Sequence, residues 1–164
     1  MKSERRGFQP VSHDQLFQEL VHDSYKAGHK LHEPTCCPDC GAVFQNGRWV
    51  WTAAPAAAHE ARCPACHRIH DKFPAGFVTL KGAFLQAHRE EILHLMRNHE
   101  AKEKAEHPLQ RIMAIVEGDD GVTVTTTDTH LARDLAQSLH HAYKGEPEFH
   151  YNKEDNLLRA SWTR

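Results

Sequence analysis

Two C-x-x-C pairs, Cys37-Pro-Asp-Cys40 and Cys63-Pro-Ala-Cys66, hold four of the five cysteines. They constrain the fold more than any other feature. Each pair can make a tight knuckle that turns both sulfurs toward one point. Two such knuckles complete a tetrahedron, and a zinc ion accepts four thiolates at about 2.3 Å without geometric objection. The spacing lies just beyond the usual two-pair range. A hairpin and the small-residue tract Ala53 to Ala58 account for the excess. The expected cofactor is therefore Zn²⁺ on Cys37, Cys40, Cys63 and Cys66. Cys36 is left over as a bystander. A four-thiolate site is coordinatively closed, which makes it structural rather than catalytic.

Other uses of the cysteines fit less well. Cys63-Pro-Ala-Cys66-His67 matches the C-x-x-C-H haem-attachment pattern, but the first pair offers the second a better partner. Ligand type alone does not separate zinc from iron in a rubredoxin-like site. A zinc deaminase needs H-x-E ahead of its cysteines, whereas His59 and Glu60 are adjacent.

Local signals divide the chain of 164 residues into four regions. Residues 1–33 read as a basic arm followed by a helix that Ser12 opens, with Ser12 and Gln15 as a capping box and Gly28 as its stop. Residues 34–74 form the zinc ribbon. Within it, Asn46-Gly47 between Ala42-Val43-Phe44 and Arg48-Trp49-Val50-Trp51 signals a hairpin. Residues 75–107 are expected to hold a long connecting helix from about Leu80, with a stripe of Phe84, Leu85, Ile92, Leu95 and Met96 and a stop at Pro108. Residues 108–164 read as a ββαββ unit. RIMAIVE and VTVTTT are two strands about a Gly118–Gly121 turn. A helix capped by Thr127 or Asp128 carries Leu131, Ala132, Leu135, Ala136, Leu139, Ala142 and Tyr143 on one face. EFHYN and LLRASW then pair about Lys153–Asn156. The fold class is α+β.

Composition narrows the function. The formal net charge is −2, so no overall basic excess advertises a nucleic-acid partner. No apolar run approaches a membrane span of about 20 residues. The start, MKSERRGFQPVSHDQ, has no apolar segment behind its basic residues. The expectation is a cytoplasmic protein with no membrane or small-molecule partner. P-loop, G-x-S-x-G, G-x-G-x-x-G and H-E-x-x-H signatures are absent, so no enzyme is expected. The fifteen histidines are scattered. His67 and His70, beside the second cysteine pair, are candidate substitute or supporting ligands. Basic and aromatic side chains gather on the arm and ribbon. Lys2, Arg5, Arg6, Arg48, Trp49, Trp51, Arg62, Arg68 and Lys72 are the candidate RNA contacts, with basic groups for phosphates and tryptophans for bases.

The segments CPDCGAVFQNGRW, CPAC, PAGFVTLKGAF, HREEILHLMRN and EHPLQRI, with the tail from TTTDTHLARDLAQ to RASWTR, resemble a family of small bacterial zinc-ribbon proteins. That family is similar to the export adaptor of the large ribosomal subunit, the nonsense-mediated-decay-three family. The resemblance implies binding to the large subunit and its rRNA, in stress, dormancy or assembly, through zinc modules and α+β domains. It carries the metal-ligand role onto Cys37, Cys40, Cys63 and Cys66. The larger relatives have four C-x-x-C motifs where this chain has two, and export itself is not implied. A protein-interaction adaptor that uses the ribbon without nucleic acid is the alternative.

Overall fold

A computed structural model describes residues 9–10, 25 and 30–164. The helix expected from Ser12, and the candidate contacts Lys2, Arg5 and Arg6, lie outside the described residues. Ten strands and three helices are present among those described. They form a six-stranded mixed sheet backed by two helices, and a four-stranded small sheet that, with the third helix, brings the cysteines together.

The small sheet contains β2 (Thr35–Cys36), β3 (Val43–Gln45), β4 (Arg48–Val50) and β5 (His59–Glu60), in the order β4-β3-β2-β5. Its hairpin turns where the sequence places it. Asn46 and Gly47 both have positive φ, 54° and 78°, the geometry that a two-residue turn between twisted strands demands. The Glu33 carboxylate accepts from both of their backbone N–H groups, at 3.2 and 2.8 Å. The alanine tract is an exposed loop without helix or strand.

The second cysteine pair departs from a plain ribbon. Residues Pro64–Asp71 form a helix, α1, with Cys63 as its N-cap and Pro64 in its first turn. Proline is well suited there because its fixed φ matches a helix and its missing N–H has no intrahelical partner. One half of the cysteine cluster is thus a knuckle after a strand, and the other half is a helix start.

The large sheet runs β1-β9-β10-β6-β8-β7. Its strands are β1 (Gln9–Pro10), β6 (Gly76–Lys81), β7 (Ile112–Glu117), β8 (Gly121–Thr126), β9 (Glu146–Asn152) and β10 (Leu157–Thr163). The expected hairpins β7–β8 and β9–β10 are both present. Helix α3 (Thr129–Tyr143) is capped by the Asp128 carboxylate, which accepts from His130 N–H at 3.0 Å.

The expected β-β-α-β-β order is present over 108–164 as β7-β8-α3-β9-β10, but the stretch 75–107 is more than a connecting helix. Its first residues form β6, which sits between β10, its parallel partner, and β8, its antiparallel one. Val78 and Leu80 are buried on one face while Phe77 and Thr79 lie on the other, the period of a strand. Gly82 then turns the chain at φ 110°, where a Cβ would lie 2.1 Å from the Arg164 carbonyl oxygen. Only glycine fits that approach. Helix α2 follows over Ala83–Glu106 with a kink at His88. The unit is therefore a split β-α-β, β6-α2-β7, with β8 inserted, followed by α3 and the β9–β10 hairpin.

Helices α2 and α3 cover one face of this sheet. Leu85, Ile92 and Met96 from α2, and Leu131, Leu135 and Leu139 from α3, pack on Val78, Leu80, Val122, Val124, Leu158 and Trp162. The Trp162 indole N–H donates to the Lys144 carbonyl at 2.7 Å, which satisfies its one polar atom inside the core. Ala142, expected on the buried face of α3, is exposed. No helix among the described residues is long and apolar enough to cross a membrane.

A four-cysteine candidate metal centre

The first knuckle is held by its backbone. Cys37 N–H donates to the Ala42 carbonyl at 2.8 Å, and Gly41 N–H to the Cys37 carbonyl at 2.9 Å. That closed loop places Cys37 and Cys40 side by side. The start of α1 brings in the other two sulfurs. Cys66 N–H donates to Cys63 Sγ at 3.4 Å, and Cys63 N–H donates to Cys37 Sγ at 3.3 Å. The free N–H groups of a helix start thus face sulfur, where negative charge is favoured.

All four sulfurs lie within 4.8 Å of one another. Cys40 and Cys63 Sγ are 3.8 Å apart. A disulfide would bring sulfurs to about 2.05 Å. A tetrahedron with metal–sulfur bonds of about 2.3 Å has edges of about 3.8 Å. The cysteines are free thiols in an arrangement that can hold a metal ion. Cys37 and Cys63 are fully buried and Cys66 nearly so, with Ala65, Trp49 and Leu109 packed around them.

The buried thiols Cys63 and Cys66 resist ionising, whereas Cys37 ionises more readily. Burial pushes the Cys63 thiol far up, and the neighbouring Cys40 and Cys37 sulfurs push it further. Burial also raises Cys66, against the opposing pull of Arg111. At Cys37 burial raises the pKa too, but N–H donors from Cys63, Cys40 and Asp39 outweigh it and bring the thiol to about 7. Four thiolates at this separation need a cation among them, so metal uptake displaces protons.

Arg111 supplies part of that positive charge, and sequence reasoning missed it. Its side chain is buried at 7% exposure. One terminal N–H donates to Cys66 Sγ at 3.2 Å, the other approaches Cys63 Sγ at 3.6 Å, and Nε donates to the Pro108 carbonyl at 2.8 Å. A divalent metal on four thiolates carries a net charge of −2, and a buried guanidinium offsets half of it. Arg111 precedes β7, and its backbone N–H donates to Thr127 Oγ1 at 3.0 Å while its carbonyl accepts from the Thr127 N–H at 2.9 Å, just before α3. It therefore ties the metal centre to the large sheet.

The candidate contacts separate into groups. Arg48, Trp49 and Arg62 share one groove. Trp49 packs on the cysteines and meets Phe44 at 5.5 Å between ring centroids. Arg62 Nε lies 2.5 Å from an Asp39 carboxylate oxygen. Trp51 turns away, and its indole N–H donates to the Lys104 carbonyl near the end of α2 at 2.7 Å. Arg68 is only 2% exposed, its guanidinium over the Tyr25 ring and hydrogen-bonded to the Phe73 carbonyl. It holds α1 in place, so its assignment as an RNA contact is corrected. Lys72 is exposed at the C-cap of α1. His67 and His70 do not join the sulfurs. The ligand cluster found among the described residues is cysteine alone, and His70 pairs with Asp71 at 3.1 Å.

No family model matches the chain, and no curated protein matches it significantly.

Proposed function

We propose that this protein is a zinc-braced, non-enzymatic factor of the cytoplasm that associates with the large ribosomal subunit and contacts its rRNA. The observation that carries this reading is the closed, buried four-sulfur cluster behind a hairpin that presents Arg48 and Trp49. A metal with four protein thiolates has no position left for water or substrate. Its role is then to hold shape, and the shape it holds displays a cation beside an aromatic ring. The resemblance to the ribosomal adaptor family points the same surface toward the large subunit, in stress, dormancy or assembly.

Sedimentation of the tagged protein through a lysate gradient, from growing and starved cells, tests this. Migration with the large subunit, lost as salt rises and counterions compete for phosphate, is the expected result. A profile confined to the top of the gradient in both conditions contradicts it. A second reading, a protein-interaction adaptor, draws on Ile69 and Phe73 of the α1 region, 41% and 54% exposed. It gains if association survives nuclease and changes little with salt.

A further inference from the structure

A cavity of about 870 Å³ lies between the β3–β4 hairpin and the turn that follows α2. That is within the range of sites that take small organic ligands. Phe44 and Trp49 line it from the hairpin, and Pro108 and Leu109 from the turn. Lys30 and Arg48, both exposed, stand at its margin. The acidic groups on it are Glu106 and Asp128, and the Asp128 carboxylate is already taken by His130. Gln110 also lines it, and the Gln110 side-chain oxygen is buried with no hydrogen-bond partner among the described residues. A buried acceptor without a donor is costly, and a turn of the Gln110 side chain toward a ligand N–H in the cavity removes that cost.

The cavity therefore combines two aromatic rings inclined at 59° to one another, an unmet acceptor and two exposed cations. An unpaired base has the matching parts: a stacking face, an N–H edge and a neighbouring phosphate. We propose that the groove binds an unpaired nucleobase of single-stranded RNA. The base stacks on Trp49, the Gln110 side chain turns so that Oε1 accepts from a base-edge N–H, and the adjoining phosphates meet Arg48 and Lys30. This rests on the ribosomal reading above and names the part of the RNA that is held. Duplex RNA is excluded because its bases are paired and stacked.

The test is fluorescence anisotropy of a labelled adenylate hexamer, and of a duplex of the same length, with the zinc-loaded full chain. The expected result is hexamer binding with quenched tryptophan emission, and a duplex weaker by roughly tenfold or more. Trp49→Ala should lose roughly tenfold in affinity. Because Trp49 also packs on the cysteines, Arg48→Gln and Gln110→Leu serve as variants that leave the metal centre untouched. Each should weaken the hexamer at unchanged zinc content, and Arg48→Gln should lower the salt slope by about one. Absence of hexamer binding at low salt, or wild-type affinity in both of these variants, overturns the proposal. If such variants still travel with the large subunit, the groove fails while the ribosomal reading stands. Hexamer binding through the groove by a chain that never meets a ribosome supports the groove and removes the ribosomal reading.

Discussion

The two sheets of this protein are held together by different physics. The large sheet has an ordinary core: alternate residues of β6, β8 and β10 meet leucines and alanines of α2 and α3. Hydrophobic burial accounts for such a unit at about 25 cal/mol per Å². The small sheet has strands of two or three residues, and the buried cluster beside it is three cysteines and Ala65. So little apolar surface cannot offset the entropy of ordering the loops around it. A metal ion on the four sulfurs would supply what the core lacks. The difference teaches that one chain can pair a unit held by buried area with a unit whose own core is too small to hold it. Arg111 and Trp51 join the two.

The largest effect should come from the sulfurs. Cys63→Ser removes a thiolate while leaving α1 a serine N-cap, and structural zinc binding is worth about 10–16 kcal/mol in small peptides. Elemental analysis should find zinc lost, with the helical circular dichroism of α2 and α3 kept. Full zinc content in the variant would refute the four-cysteine assignment. A core deletion should do the reverse. Leu135→Ala should cost the large sheet about 2–5 kcal/mol in urea unfolding, while the folded fraction still takes up one zinc.

The joint between the units should respond next. Arg111→Met leaves the thiolate charge without its buried partner, at a cost of about 3 kcal/mol. It should speed zinc loss to a chelator without lowering zinc content at saturation. Unchanged loss kinetics would mean that Arg111 packs there without compensating charge. Trp51→Phe is the mildest change. It deletes one hydrogen bond to the end of α2, at about 1 kcal/mol, and should shift the unfolding midpoint only slightly.

Much of this comparison was legible in the sequence, and the part that was not has a common cause. The four clustered cysteines, the Asn46-Gly47 turn, the Asp128 cap and both C-terminal hairpins announce themselves within a few residues. Strand β6 does not, because its partners β8 and β10 lie far along the chain. Its alternating apolar positions abut a helix stripe and merge with it. Helix α1 is eight residues long and begins on a ligand, so its signal is masked by the cysteine pattern. Arg111 lies 45 residues from Cys66, and no spacing rule links them. Arg68 reads as a surface cation until Tyr25 and Phe73 close over it.

Hydrogen exchange of the full chain, before and after zinc is stripped by a chelator, tests the central claim most directly. The account expects protection to collapse from Thr35 to Asp71 and to fall around Arg111, while the amides of β6, β8 and α3 keep theirs. Equal loss across both sheets would show a single cooperative unit, and no loss anywhere would show that the four cysteines are not a structural metal centre.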